Sequence, residues 1–467
     1  MSQQQNKIDQ SYPLYEKEKK IYSREVHGLF ALWRVTGVII LLGIYYGTPW
    51  LRWQGNQAIL LDLPERKFHI FALTFWPQDF FYLAILLIVA ALALFFFTTL
   101  AGRLWCGYAC PQTVWTEVFL VIERWIEGSR MKQIKLDQSA FNTEKFLKKF
   151  SKHFVWIIFS AYTGFTFVGY FTPITGLTEK IIQLSLGPWE TFWIVFYSFA
   201  TYGNAGWMRE KVCLHMCPYA RFQGAMFDKD TLIIAYNDER GEPRGSRNKK
   251  TDHQDKGLGD CINCTLCVQA CPTGIDIRDG LQYQCIACAA CIDVCNEVMD
   301  KMNYKPGLIS YTTENVVHGK ISHLLRPKTI ISGVILLALL AGLGIALFTR
   351  LPLEMDIMRD RNTLYRELPD GLIENVYILK VLNMDSVPHE YTLTVSGIKN
   401  LKMKMKMNFD HMLVPSGEIV EMPIVLQASR TRLVKRSNPV EFTLVAKDKP
   451  ALTVTEEARF LGPIPGY

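Results

Sequence analysis

None of the chain's 12 cysteines lies before Cys106 or after Cys295, so neither end can be a disulfide scaffold. No phosphate loop, dinucleotide fingerprint or flavin motif occurs, which argues against direct binding of NAD(P)H. Of nine histidines, none sits deep in a long apolar run, and His27 and His153 stand only at run edges. Paired-histidine haem ligation across a membrane is therefore not expected. The first apolar run is too long, begins too late and lacks the small-residue cleavage site of a secretory leader, so it reads as an anchor. The formal net charge of +7 comes from Lys and Arg gathered beside apolar runs rather than in a nucleic-acid motif. It reads as membrane topology, and no nucleic-acid partner is expected.

At 467 residues and 49% hydrophobic, the chain is too long for one domain and too apolar for an ordinary soluble protein. Five runs are long enough to cross a bilayer, which needs about 20 helical residues: 29–50, 80–101, 153–173, 187–208 and 328–349. The third and fourth are rich in Gly, Thr and Tyr, as in helices packed against other helices. Arg34 lies in the first run and is expected to snorkel to the interface. Basic residues crowd the segment before the first run (Lys7, Lys17, Lys19, Lys20 and Arg24) and the loop 102–152, whereas 51–79 and 174–186 carry few. The positive-inside rule then places the tail 1–28 and residues 209–327 in the cytoplasm, and the C-terminal segment 350–467 on the opposite side.

Between Cys261 and Cys295 the chain spells CxxCxxCxxxCP and then CxxCxxCxxxC. Eight thiols at this spacing are the ligand set of two [4Fe-4S] clusters, in which the fourth Cys of each run serves the other cluster. Cys261, Cys264, Cys267 and Cys295 are expected to hold one cluster, and Cys285, Cys288, Cys291 and Cys271 the other. A zinc site needs only one or two CxxC pairs, without third and fourth cysteines in register. Pro272 follows the first run, but Asn296 stands where a second Pro is often found. Residues 236–260 are polar and Gly-rich and read as a linker whose basic residues are solvated.

The remaining four thiols form two CxxxC pairs, Cys106 with Cys110 and Cys213 with Cys217, each directly after an apolar run and each ending in Cys-Pro. A separation of four suggests two thiols stacked on one helix face. With both pairs on the side of the clusters, four thiolates could converge there as a soft-metal site, a redox disulfide or ligands to a further cluster. Buried apolar packing is the alternative. Thiolate favours Cu(I), and His215 and Met216 inside the second pair are additional donors. After the fifth run the pattern becomes period two, for example Tyr391, Leu393 and Val395, then Val420, Met422, Ile424 and Leu426. Several such strands over about 110 residues suggest an immunoglobulin-like β-sandwich without its disulfide. The stripe Met403, Met405 and Met407, with His411 and Met412, reads as strand core rather than a copper surface.

The blocks GRLWCGYACPQTVWTEVF, NAGWMREKVCLHMCPYARFQGAMFDKDTL, RGEPRG and CPTGIDIRDGLQYQCIACAACIDVCN resemble the cytochrome c oxidase accessory family CcoG, also called FixG or RdxA. The resemblance runs from the first span through the strand-rich tail. It implies a bacterial inner-membrane iron-sulfur protein that reduces Cu(II) to Cu(I) for assembly of cbb-type oxidases, with copper as substrate near Cys106, Cys110, Cys213 and Cys217. Its partners would be copper chaperones or oxidase assembly factors, and an electron donor of unknown identity. The expected fold is a multi-domain membrane protein: a five-helix transmembrane bundle, a two-[4Fe-4S] ferredoxin-like α+β insert and a C-terminal immunoglobulin-like β-sandwich. Two rival readings are a quinol-linked electron-relay subunit, similar to those of periplasmic nitrate reduction, and a non-catalytic assembly scaffold.

Overall fold

The computed structural model describes residues 20–53, 55–249, 257–323, 325–360, 363–385, 387–405 and 412–463. Lys7, Lys17, Lys19, Met407 and His411 lie outside these. The chain divides into two compact units, Met1–Leu340 and Ala341–Tyr467.

Among the described residues, three helical segments are long and apolar enough to cross a membrane: Leu29–Trp50, Pro77–Ala101 and Pro327–Phe348. The expected third and fourth spans take a different form. Helix Thr143–Val168 begins inside the basic segment, so its first turns carry Lys145, Lys148, Lys149 and Lys152. Helix Pro188–Thr201 has only 14 residues and continues as a π-helical stretch, Tyr202–Met208. These two helices pack closely, because a side chain on Gly164 would come within 2.5 Å of the Ile194 carbonyl oxygen, the small-residue contact that lets helix backbones approach. The loop 51–79 also carries structure, a strand pair and the three-stranded antiparallel sheet Ile59–Asp62, Lys67–Ile70 and Leu73–Phe75.

Strands Ile233–Tyr236 and Ile309–Thr312 pair antiparallel and bracket the cysteine-rich segment. Helices Leu266–Ala270 and Ala290–Met302 lie between them in sequence and share a core that includes Ile234, Ile292, Met299 and Ile309. The basic residues of the preceding segment are structural rather than merely solvated: Arg240 pairs with Asp260, and Arg247 donates to the Gly259 carbonyl at 2.7 Å.

The second unit is a two-sheet β-sandwich. One sheet runs Lys402–Met405, Ile419–Ser429, Leu372–Asn383, Leu353–Arg359, with the short strand Arg366–Glu367 also pairing with Leu372–Asn383. The other runs Met412–Val414, His389–Ser396, Ser437–Ala446, Thr453–Leu461. Alternate residues of each strand point inward, so Tyr377, Leu379 and Ile424 meet Tyr391, Phe442 and Phe460 in one core. Met403 packs against that core and Met412 is part of it, as alternate residues of a strand do. In place of a disulfide, hydrogen bonds tie the sheets: Tyr377 Oη donates to the Arg459 carbonyl at 3.0 Å, and the Asn375 amide bonds both ways with the Leu461 backbone.

Candidate iron-sulfur centres and adjoining thiols

The two cysteine runs fold as near copies. In each, the residues at the second and fourth positions after the first Cys have left-handed backbone: Asn263 and Thr265 at φ 53° and 56°, Ala287 and Ala289 at φ 54° and 59°. Left-handed conformation is costly for residues with a Cβ, and for β-branched Thr265 above all, so tertiary demand must hold it there. Alternation of right- and left-handed residues turns successive backbone N–H groups into a concave nest, which suits an anionic iron-sulfur cluster. The thiols group across the runs. Cys261, Cys264, Cys267 and Cys295 line one cavity. Cys271, Cys285, Cys288 and Cys291 line a second, into which Cys267 also projects. The residues present fit two cubane clusters. Asn296, the departure from the usual Pro, accepts a hydrogen bond from the Gly307 N–H at 2.9 Å through its Oδ1 and so anchors the chain behind Cys295.

Burial pushes the thiols up: Cys267 and Cys285 to about 11, Cys288 and Cys295 to about 12. Without a cationic core beside them they stay protonated at neutral pH, so metal loading must release protons.

The cluster segment is docked onto the membrane helices rather than tethered to them. Asp293, buried between Cys291 and Cys295, accepts from the backbone N–H groups of Phe30 (3.2 Å) and Ala31 (2.7 Å). Its carboxylate thus caps the positive end of the first apolar helix. Arg34 does not snorkel, as its guanidinium donates to the Cys288 carbonyl. Arg103 donates to the carbonyls of Tyr283, of Cys285 at 3.3 Å and of Ala220 at 2.7 Å.

The CxxxC pairs do not stack on continuous helices. Cys106 lies in the short helix Leu104–Tyr108, but Cys110 is extended (φ −60°, ψ 129°) and helix Pro111–Glu127 starts after it. Likewise Cys213 sits in the π-helical turn Val212–Met216, Cys217 is extended (φ −75°, ψ 110°), and helix Pro218–Met226 follows. The reason is the shared Cys-Pro: proline disfavours helical geometry in the residue before it and favours the first position of a new helix. The approach to each pair is also alike. Gly102 (φ 57°, ψ −122°) and Arg209 (φ 43°, ψ −115°), each four residues before the first Cys, share a backbone region that suits glycine and strains arginine.

The two pairs lie within electrostatic reach of one another. Burial pushes Cys106 up to about 11 and Cys213 to about 12, and each is raised further by the neighbouring cysteines of both pairs, while Arg103 opposes the rise. The Cys106 thiol faces the buried amide of Gln223 at 3.5 Å. His215 and Met216 are exposed. Among the described residues no three His, Cys, Asp or Glu side chains are grouped tightly enough to hold a single metal ion.

Gly107, between Cys106 and Cys110, packs directly on the second cysteine run. A Cβ there would stand 2.8 Å from the Ile286 carbonyl oxygen, 2.9 Å from that of Ala287 and 2.9 Å from Cys288 Cα. Arg34, Arg103, Gly107, Gln223 and Asp293 are site residues that spacing did not single out. The only local signal was an arginine inside an apolar run and another three residues before Cys106.

Two thiol-lined cavities on nest-forming loops, docked on long apolar helices, define a dicluster iron-sulfur electron-transfer protein associated with a membrane. Family profiles agree: a 4Fe-4S dicluster domain matches residues 208–314, a 4Fe-4S binding domain matches 83–128, and the "IG-like fold at C-terminal of FixG" matches 343–463. The chain is 39% identical to the nitrogen fixation protein FixG of Rhizobium meliloti, over 84% of this chain and 82% of that one. It is 37% identical to protein RdxB of Cereibacter sphaeroides, over 95% and 96%. A crystal structure of a FixG-related protein from Vibrio parahaemolyticus is 31% identical and covers 24% of this chain and 98% of its own, with a TM-score of 0.22. The chain belongs to the FixG family.

Proposed function

We propose that this protein reduces Cu(II) to Cu(I) at the four CxxxC thiols and supplies the product to assembly of a cbb-type cytochrome oxidase. Cys261, Cys264, Cys267 and Cys295 hold one [4Fe-4S] cluster, and Cys271, Cys285, Cys288 and Cys291 the other. When bound, the clusters supply one-electron storage and transfer. The observation that carries the reading is the contact of Gly107 with the Ile286–Cys288 backbone, which sets the Cys106–Cys110 turn against the loop of the second run. Arg103 stands between the two sets of thiols, touching the Cys285 carbonyl while acting electrostatically on Cys106 and Cys213.

Soft thiolates favour Cu(I) over Cu(II), so the site stabilises the product of reduction. Cu(I) then passes to a copper chaperone or oxidase assembly factor. In this reading helices Thr143–Val168 and Pro188–Thr201, with the π-helical stretch, supply the third and fourth membrane crossings. The protein sits in a bacterial inner membrane with residues 209–327 in the cytoplasm and the sandwich in the periplasm, an orientation supported by the basic segment 102–152.

The test is anaerobic Cu(II) reduction by purified, dithionite-reduced protein, beside Cys106→Ala and Cys213→Ala. Both variants should lose most of the rate while keeping both clusters by EPR. Unchanged rates with intact clusters would remove the thiols from the reaction.

A further inference from the structure

A cavity of about 520 Å³ lies between the start of the first apolar helix, helix Pro111–Glu127 and the two cysteine regions, and neither the clusters nor the copper reading uses it. Its wall includes Cys288 of the second run and Cys213 of the second CxxxC pair. At the level of the apolar helix it is bordered by Leu32 and Val35, which are 63% and 50% exposed. Apolar side chains this exposed on a membrane-crossing helix face lipid. The cavity therefore has one wall at lipid and another at a cluster ligand.

Its polar groups narrow the occupant. Arg24, Arg34, Arg124 and Arg209 line it together with Glu25, Glu117 and Glu210, and Arg124 and Arg209 are paired with Glu117 and Glu123. Ala31, Leu120 and Ile286 give it apolar surface, and Thr116, Glu117 and His27 are the hydrogen-bonding and proton-accepting groups. Glu117 is oriented by Arg124 at 2.7 Å, and His27 lies at the exposed rim. A flat, apolar, redox-active molecule that enters from lipid and carries ionisable hydroxyls matches this lining.

We propose that the cavity is the binding site of a membrane quinol, the electron donor to the clusters. The proposal rests on the cluster assignment given under Proposed function. Oxidation there breaks the two quinol O–H bonds and leaves the quinone. The two protons pass to Glu117 and His27 and on to water, and the two electrons go singly to the two [4Fe-4S] clusters, one each. A two-electron donor thus meets two one-electron acceptors. The Arg34 guanidinium on the Cys288 carbonyl and Arg103 on those of Tyr283 and Cys285 add positive charge and hydrogen bonding beside the second run. Both raise a cluster's potential, which reduction by a quinol requires.

The test uses the full-length, cluster-loaded protein in lipid nanodiscs under anaerobic conditions. Binding of short-chain ubiquinone and menaquinone analogues is measured by calorimetry, and reduction of the clusters by the matching quinols is followed by EPR. At least one analogue should bind and its quinol should reduce the clusters. Val35→Trp, which fills the lipid-side mouth, should weaken binding at least tenfold. Glu117→Gln should retain binding and slow quinol-driven reduction at least tenfold. Dithionite should reduce the clusters in every variant, as the control for folding. If dithionite reduces the wild-type clusters but neither analogue binds, or if Val35→Trp leaves binding unchanged, the quinol site is overturned. If dithionite yields no [4Fe-4S] signal, the cluster assignment itself fails.

Discussion

Replacing Gly107 by alanine sets two opposing effects against each other. In an open helix the change stabilises by about 0.5–1 kcal/mol, because glycine loses more backbone freedom on folding. At Gly107 the new methyl would sit 2.8–2.9 Å from two carbonyl oxygens and Cys288 Cα. Ordinary contact begins near 3.4 Å, so the Cys106 turn and the Cys285–Cys288 loop must separate by about 0.6 Å, that is, 3.4 minus 2.8. The neighbours are backbone atoms, flanked by the left-handed Ala287 and Ala289, and cannot swing aside as a side chain could. Overpacking of this kind costs about 1–3 kcal/mol, so at the middle of both ranges the steric effect wins and the net loss is about 1 kcal/mol. Gly224, in helix Pro218–Met226 with nothing within 4 Å of its added Cβ, is the control and should be neutral or stabilised on the same change. Thermal unfolding of both variants, with the rate of Cu(II) reduction for each, decides the matter. A Gly107→Ala protein as stable and as fast as the Gly224→Ala protein would refute the packing of the CxxxC turn on the cluster loop.

Cys295→Ala should abolish the EPR signal of one cluster and remove about half of the protein's iron, the cluster lost being the one held by Cys261, Cys264 and Cys267, although Cys295 follows the other run in sequence; loss of the second-run cluster instead would refute the crossed grouping. Glu123, 1% exposed, is bound by Arg209 at 2.7 Å, Lys20 at 3.1 Å and Lys152 at 3.2 Å. Glu123→Gln should cost about 3 kcal/mol by taking the carboxylate from the buried Arg209, while Lys152 keeps Glu127 at 2.7 Å and Lys20 keeps Asp137 at 3.2 Å, measured by thermal unfolding. Burial pushes the Glu123 carboxyl up, but Arg209, Lys152 and Lys20 outweigh it and hold it at about 2. A depressed carboxylate stabilises the fold above its ordinary value near 4.5, so this contribution should fade as pH falls from there towards 2, and not in the Gln variant. Cu(I) affinity should rise with pH between 6 and 9, about tenfold per unit for each thiol that must deprotonate, because burial raises Cys106 and Cys213 above that range. A flat profile in a competition assay with a Cu(I) chelator would show that these thiols are not the ligands.

Much of this architecture was legible because it is local. The three CxxC-spaced cysteines of each run reach one small cavity through a few backbone angles, whereas the fourth thiol of each cavity, Cys295 or Cys271, comes from the other run. The second apolar helix, Phe80–Ala101, is a run uninterrupted by charge, and its ends follow from Asp79 and from the left-handed Gly102. The strands of the sandwich follow from alternation. What was not legible is long-range. Asp293 reaches Ala31 across 262 positions and Arg34 reaches Cys288 across 254, and no local pattern reveals that an intramembrane arginine has a carbonyl to bind. The expected helix-face stacking of the CxxxC thiols failed for a local reason, since the proline after each pair excludes helical geometry at Cys110 and Cys217.

The most direct measurement of the central claim counts copper. Fully reduced protein, mixed anaerobically with excess Cu(II), should lose both cluster signals and yield two Cu(I) per chain, one electron from each cluster, and a protein lacking all four CxxxC thiols should keep its clusters reduced. Clusters that stay reduced in the wild-type protein, or Cu(I) formed equally well without those thiols, would contradict it.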